Sequence, residues 1–314
     1  MRRLKILIWH IHGSYLNTMA RLEHDWYLPV TPERGPRYGG RGPTFDLPDY
    51  VREVPAEEVR RLPLDLVICQ APENYYEDRE RILSPEQRRL PVIYLEHNTP
   101  QPHPTNTRHP VDDPDVLMVH VTHFNQLMWD SGRTPTRVIE HAVAIDPAAR
   151  YEGCRPEGIV VTNCIQRRGR ITGYDLFEAA RARVPITSVG METERIGGLG
   201  DVPYRELHRV VAQRRFLFSP MRYTSLPLAV IEAMTIGMPV VALATTALPT
   251  AVIDGVTGYL SCDLDRLVAG MEALVADREL AVRLGAAGRE LARERFGLER
   301  FCADWNDAMR AVTG

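Results

Sequence analysis

Short runs rich in Val, Ile and Leu recur along the chain, and between them lie stretches with apolar residues at helical spacing. This alternation most constrains the fold, because successive βα units build a mainly parallel sheet whose strands are covered on both faces. In the first half the expected strands are LKILIWH (4–10), DLVICQ (65–70), PVIYLEH (91–97), VLMVHVT (116–122) and RVIEHAV (137–143). Between the first two, TPERGPRYGGRGPTFDLPDY (31–50) is rich in Gly, Pro and Arg and reads as a loop. A second loop, HNTPQPHPTNTRHPVDDPD (97–115), carries proline throughout and excludes a helix of any length. Loops this long inside a compact domain are usually functional or mobile. Both are expected to overhang a cleft at the strand ends.

The periodicity lapses over AIDPAARYEGCRPE (144–157) and then restarts with GIVVTNC (158–164), PITSVG (185–190), RFLFSP (215–220), PVVALAT (239–245) and GYL (258–260). Helices are expected at 173–183, 203–212 and 226–237, followed by a long helical tail. A chain of 314 residues suits two α/β domains of about 150 residues each. The expected division is 1–145, 146–295, and a last helix over 296–314 that packs back toward the first domain. With 44% hydrophobic and 25% charged residues and a net charge of −3, the composition is that of an ordinary globular protein. It offers no field for nucleic acid, so no nucleic-acid partner is expected. No apolar run approaches the roughly 20 residues of a transmembrane helix. The opening MRRLKILIWHIHG is short, holds His10 and His12, and meets no small-residue cleavage site, so it reads as a buried strand and not as a signal peptide. Five scattered cysteines without a CxxC pair argue for a reducing compartment, hence the cytoplasm.

The most informative stretch is SLPLAVIEAMTIGMPVVALATTALPTAVIDGVTGYL (225–260). Leu226, Ala229, Val230 and Ala233 mark a buried stripe. Glu232 interrupts it, and charge near such a stripe is expensive unless partnered. Gly237 ends the helix and Pro239 opens a buried strand that finishes at Thr245–Thr246. Ligands of open α/β sheets bind outside the carboxyl ends of the strands, so the helix start and the two threonines are expected at one crevice. Free N–H groups at a helix start favour phosphate.

EAMTIGMPVVA followed by VIDGVTGYL resembles the donor-binding module of the retaining glycosyltransferases of family 4. The likeness continues into RFLFSPMRYTSLPLAVIEAM, ITGYDLFEA and ERFGLERF, and more loosely into the HGS turn and YLEHN of the first half. The strings WHIHGSY, LEHNTP, TRHPVDDP, VTHFN and WDSGRTPTRVIEH suggest one short-sequence branch. The resemblance implies the GT-B fold, two Rossmann-like domains facing each other across a cleft. It also implies transfer of a sugar from a nucleoside-diphosphate sugar, with retention and without metal or other cofactor. The family's paired glutamates map onto Thr224, in place of the sugar-side Glu, and onto Glu232, on the ribose. Leu228 and the backbone after it correspond to the loop whose amides meet phosphate. The family's diphosphate-clamping Arg and Lys fall within VTNCIQRRGRITGYDLF, where the Lys position is Thr172. Arg167 or Arg168 is the matching arginine, and another of Arg167, Arg168 and Arg170 stands in for the lysine, since negative charge grows on the diphosphate as the bond breaks. Three arginines in a glycine-containing loop otherwise read as a solvated turn. Gly200 and Val202 match a segment whose backbone meets the base, which leaves uracil and guanine undistinguished.

In the first half, Gly13 permits close approach of a ligand, and His12 or Ser14 can donate to phosphate or sugar. His97 resembles the family histidine that faces the donor sugar, with a capping or packing role as its plain alternative. Glu96 points to the opposite face. Arg41, Asn98, His12 and His123 are placed on the acceptor side, the acceptor being a saccharide or another small or lipid-linked molecule. His120 and His123 read equally well as core histidines. No His/Asp/Glu cluster has metal-ligand spacing. Two rivals remain: a GT-B protein that binds a nucleotide sugar without transferring it, motivated by Thr224 and Thr172, and a GT-B epimerase or phosphorylase.

Overall fold

Every pairing between strands in the computed structural model, which describes residues 2–314, is parallel. The chain divides into two units, one running to Ala144 and including Leu298–Gly314, the other Ile145–Gly297.

The first unit is built on β1 (Lys5–Ile8), β2 (Asp25–Val30), β3 (Val51–Pro55), β4 (Leu66–Cys69), β5 (Val92–Glu96), β6 (Val116–His120) and β7 (Thr136–Val138). Their spatial order is β3-β2-β1-β4-β5-β6-β7, so the chain reverses its winding between β1 and β4. Helices α1 (Gly13–Met19), α2 (Arg79–Ile82) and α3 (His123–Met128) are short. β4, β5 and most of β6 are buried along their length, in keeping with apolar runs covered on both faces. Two strands escape the sequence pattern. β2 (DWYLPV) contains Pro29, which argues against an interior strand, and β3 (VREVP) is only five residues long with the charged Arg52 and Glu53 side by side, which breaks any strand alternation. Segment 31–50 therefore follows β2 and not β1, and strand 137–143 shortens to β7.

The second unit contains β8 (Arg155–Val161), β9 (Ile186–Val189), β10 (Arg214–Ser219), β11 (Val240–Leu243) and β12 (Gly258–Ser261), ordered β12-β11-β10-β8-β9. Here the reversal lies between β8 and β10. The helices are α4 (Ile165–Arg168), α5 (Tyr174–Arg181), α6 (Tyr204–Ala212), α7 (Leu228–Ile236), α8 (Leu248–Ala251), α9 (Leu264–Ala276) and α10 (Arg278–Arg295). α7 is buried nearly all round: Val230, Ile231, Ala233, Met234 and Ile236 are at most 1% exposed. The single stripe expected from the sequence is too narrow, because α10 covers a further side of the helix. That approach needs Gly285, where an added Cβ would lie 2.0 Å from the Gly237 carbonyl oxygen. Gly237 closes α7 in the left-handed region (φ 98°).

The last helix, α11 (Leu298–Thr313), belongs to the first unit. It drives Phe301, Trp305, Ala308 and Met309 into the core beside Tyr15, Met19 and Trp26. Trp305 Nε1 donates to the Tyr15 hydroxyl (3.1 Å), and Arg300 donates to the carbonyls of Glu140 (2.9 Å) and His141 (2.7 Å). Trp305 is fully buried, so Trp305→Ala is expected to destabilise the first unit by about 3–5 kcal/mol. Urea denaturation followed by hydrogen exchange at first-unit amides measures this, and a loss below about 1 kcal/mol would contradict the anchoring role.

Candidate functional site

Open parallel sheets bind ligands outside the carboxyl ends of their strands, at the point where the strand order reverses. In the second unit that point is the space after β8 and β10. β8 runs into Cys164, held in the left-handed region (φ 54°), and then into the single turn α4 that carries Arg167 and Arg168. The Cys164 N–H donates to the Met191 carbonyl (2.7 Å), while Asn163 Oδ1 accepts from the Met191 N–H (2.9 Å). The loops after β8 and β9 are thereby tied together.

The three arginines separate in role. Arg167 lies 3.5 Å from Glu192 and is largely exposed. Among the described residues nothing pairs with the exposed Arg168 side chain. Arg170 is committed: it donates to Asp175 Oδ2 (2.8 Å), and Arg222 grips the same carboxylate with both terminal nitrogens (2.6 and 2.8 Å). The paired arginines, Arg222 first, hold the Asp175 carboxyl below its usual range. Arg222 also donates to the Arg170 carbonyl (2.9 Å), which locks the arginine loop to the segment after β10. Gly173 makes the approach possible: its φ is +78°, and a Cβ there would sit 1.9 Å from the Pro220 carbonyl oxygen.

Thr172 has a different position from the one expected at a diphosphate. It is 1% exposed, and its hydroxyl donates to the carbonyls of Ile165 (3.1 Å) and Gly169 (3.2 Å). The hydroxyl closes the arginine turn and is not presented to a ligand. Gly200 is corrected in the same way. Its N–H donates to Thr193 Oγ1 (3.0 Å) and its carbonyl accepts from Gly190 (2.9 Å), so its amide is spent inside the loop. Val202 lies two residues on, partly exposed. Thr245 and Thr246 also turn inward, donating to the carbonyls of Met221 (2.8 Å) and Ser225 (3.1 Å). They support the segment that carries Thr224, itself half-buried.

Leu228 is the first residue of α7, and no side chain caps that end. Its first amides therefore keep hydrogen-bonding capacity. Glu232, one turn further, is 6% exposed. One oxygen accepts from the Tyr204 hydroxyl (3.0 Å), and the other lies 3.6 Å from His208 Nε2, beyond hydrogen-bond reach. Glu232 thus retains acceptor capacity for a ligand. Tyr204 and His208 lie one turn apart on α6, and only that i, i+4 spacing hinted at them in the sequence.

In the first unit the reversal point falls after β1 and β4. His97, at the end of β5, donates from Nε2 to Gln70 Oε1 (2.8 Å), since an amide oxygen only accepts. Gln70 in turn donates to the Trp9 carbonyl (2.6 Å). The His12 ring is 4.1 Å from that of His97, and Tyr15 meets His97 edge-on at 4.7 Å. Tyr15 also meets His141 at 5.7 Å, a residue with no local signal in the sequence. Gly13 begins α1 with Ser14 beside it, and a Cβ on Gly13 would strike Phe45 at 2.5 Å. A side chain there would need the Phe45 ring to move. Glu96 faces away from His97 and accepts from His109 Nε2 (3.0 Å).

The acceptor-side residues divide. Arg41 spends its guanidinium on the carbonyls of Leu47, Pro48 and Val51, which corrects its expected ligand role, because those bonds fold its own loop. Asn98 is fixed through its backbone: its N–H donates to Glu96 Oε1 (2.6 Å), and its carbonyl accepts from Trp129 Nε1 (2.8 Å). His123 is exposed at the start of α3. His120 is a fully buried core histidine. Among the described residues no group of three or more His, Cys, Asp or Glu side chains is placed to hold a metal ion, and no helix is long and apolar enough to cross a membrane.

A profile described as glycosyl transferases group 1 matches residues 192–291, the stretch that holds α6, α7 and Glu232. The chain is 25% identical over 227 residues to a GDP-mannose-dependent alpha-(1-6)-phosphatidylinositol monomannoside mannosyltransferase of Mycolicibacterium smegmatis. The match covers 59% of this chain and 59% of that relative's length. In structure the chain is similar to a sucrose-phosphate synthase from Thermosynechococcus elongatus, with 17% identity, 99% of each chain covered and a TM-score of 0.71. It is equally similar to HepE of Anabaena, solved with UDP-glucose, at 12% identity, 98% of each chain and a TM-score of 0.72. The fold is the GT-B arrangement of two parallel α/β sheets.

Burial sets a pH signature. It lowers His12 to about 4 and His141 to about 3, and it holds His97 well below the ordinary histidine value of 6.5. These side chains stay neutral when folded but protonate when unfolded as the pH falls below 6.5. Their stabilisation is complete above pH 6.5 and is lost as the pH drops toward 4, by up to about 1.4 kcal/mol per pH unit for each histidine. Urea midpoints of the first unit at pH 7.5 and 5.0 are expected to fall accordingly, with a shallower fall in His141→Phe. Identical pH slopes in the two proteins would contradict the assignment.

Proposed function

We propose that this chain is a glycosyltransferase that moves a sugar from a nucleoside-diphosphate sugar to a hydroxyl acceptor, with retention and without metal or other cofactor. The observation that carries the reading is the second unit's reversal point. There the Arg167–Arg168 turn, the uncapped start of α7 and the half-satisfied Glu232 all follow β8 or β10 at the carboxyl end of one sheet. These are the groups a nucleoside diphosphate needs: cations and free amides for phosphate, and a carboxylate for ribose hydroxyls. The group 1 match over residues 192–291, which holds α7 and Glu232 but not the arginine turn, and the sugar-nucleotide relatives support it.

In this reading Arg168 and Arg167 meet the diphosphate, the Leu228 and Ala229 amides add to them, and Glu232 accepts from the ribose. Thr224 takes the sugar-side position with a hydroxyl. In the first unit, His97 is held neutral by burial and oriented by Gln70. Transfer breaks the bond from the anomeric carbon to the diphosphate oxygen and forms one to the acceptor oxygen, whose proton passes to the departing diphosphate. Stabilising the charge that grows on that diphosphate supplies most of the rate. The acceptor is a saccharide or another small or lipid-linked hydroxyl compound. Five free cysteines suit a reducing compartment, the cytoplasm.

Calorimetry with UDP, GDP and ADP, and with the free nucleosides, tests the donor site. Arg168→Ala is expected to weaken the diphosphate by roughly 10- to 100-fold, as for a charge-assisted hydrogen bond, and to leave the nucleoside nearly unchanged. Equal losses on both ligands would refute the clamp. Glu232→Gln is expected to weaken nucleoside and diphosphate alike. The internal use of Thr172 favours a second reading, a protein that binds the nucleotide sugar without transferring it. Tight nucleotide binding with no slow hydrolysis of any donor tried would establish that alternative.

A further inference from the structure

The sheet of the first unit has an amino-terminal pole, opposite to the one that carries His12 and His97. A cavity of about 770 Å³ opens there, at the amino ends of β5 and β6, in a wall that reaches from Arg79 in α2 to Val312 near the end of α11. Its described lining belongs wholly to the first unit. Its volume is within the usual range for small-molecule sites.

The fold leaves two basic residues of this wall incomplete. Arg79 stacks on the Tyr75 ring at 4.8 Å and donates from one terminal nitrogen to the Arg88 carbonyl (3.2 Å). Arg88 pairs through a terminal nitrogen with Glu80 (2.7 Å). Yet the Nε–H of each is buried and meets no acceptor among the described residues. A buried charged donor is costly without an acceptor, so such donors take one from water or from a bound anion. The third arginine of the wall, Arg89, is exposed, and its side chain makes no hydrogen bond or ion pair among the described residues. The acidic side is weaker. Asp113 already accepts from the Tyr75 hydroxyl and from the Asp115 N–H (2.9 Å), and the Asp115 side chain lies exposed at the surface. Between these groups the wall is apolar, with Pro91, Leu117, Pro135 and Val312 in it.

We infer that this cavity is a further ligand site and that it takes a small organic anion with an apolar body. The anionic group, a carboxylate or a phosphate monoester, meets Arg79 and Arg88, and the carbon chain covers the apolar wall. A cation would face three guanidinium groups against two carboxylates, one of them already engaged. A neutral compound would leave the buried Nε donors without a charged acceptor, and inorganic phosphate would leave the apolar wall in water. The occupant would brace α2, the start of β6 and the end of α11, three elements far apart in the chain. No donor-side residue takes part, so the site stands apart from the transferase reading.

Calorimetry and thermal shift on the full chain test this with hexanoate and hexyl phosphate as anionic probes. Hexanamide and hexylammonium serve as neutral and cationic counterparts, and inorganic phosphate as an anion without an apolar body. Wild type is expected to bind one anionic probe about tenfold tighter than any of those three, the margin of a charge-assisted hydrogen bond, and to melt higher with it. Arg79→Lys keeps the charge but removes the Nε donor, and is expected to lose roughly tenfold in that affinity. Arg89→Ala changes only an exposed side chain and is expected to lose about threefold. Asp115→Asn removes an exposed carboxylate and is expected to bind the anion at least as tightly. Should Arg79→Lys fail to fold, Arg89→Ala and the comparison of probes still decide the matter. No binding of either anion, equal binding of hexanamide, or unchanged affinity in both arginine variants would each overturn the inference. So would displacement of the anion by saturating UDP or GDP, which would place it in a nucleotide site.

Discussion

The arrangement of both units depends on one constraint: parallel strands need a crossover for every connection, and each sheet changes its winding direction once. Where the winding reverses, neighbouring strands send their following loops to opposite faces, and a crevice opens at their carboxyl ends. β8 and β10 form that place in the second unit, and β1 and β4 in the first. Nearly every residue with chemical potential in this chain sits just after one of those strands or their neighbours. Arg167 and Arg168 follow β8, Leu228 and Glu232 follow β10, His10 and His12 follow β1, Gln70 follows β4, and His97 follows β5.

Holding such loops is itself a task, and the chain performs it with polar contacts. Asp175 between Arg170 and Arg222 joins the loop after β8 to the loop after β10. Thr245 and Thr246 donate to the carbonyls of Met221 and Ser225, and Thr172 adds a bond to carbonyls of its own turn. These exposed or half-exposed pairs add little stability individually. Their effect is on geometry, because they restrict where Arg168 and the start of α7 can lie. Preorganisation of that kind lowers the reorganisation needed as charge develops on a leaving group.

Much of this was legible in the sequence. The strands that became β1, β4, β5, β6 and the five of the second unit were visible because continuous apolar runs signal burial on both faces. β2 and β3 were not, since Pro29 and the adjacent charged residues Arg52 and Glu53 hide strands that are set by pairing with β1 and with each other. Among the candidate site residues, Glu232 and the arginine turn stood out by type and position. Arg41, Thr172 and Gly200 showed the same kind of promise, yet the structure turns their donors inward. A sequence displays which donors exist but not which are already consumed. His10, His141, Tyr204 and His208 carried almost no sequence signal, because their neighbours lie many residues away or on another element.

The sequence by itself determined the α/β class, the restart of the βα pattern after residue 144, and the types of residue available for phosphate and sugar chemistry. Those properties are local: periodicity, turn residues and composition act within a few positions of the chain. Only the tertiary structure decided which side chains remain available. It pairs Arg34 with Glu53, commits Arg170 to Asp175, leaves Arg168 without a partner among the described residues, and fixes the His10 proton on Nδ1 by presenting the Gly40 carbonyl. Hydrogen bonds and ion pairs satisfy groups brought together across large sequence separations, so their allocation is a property of the folded chain.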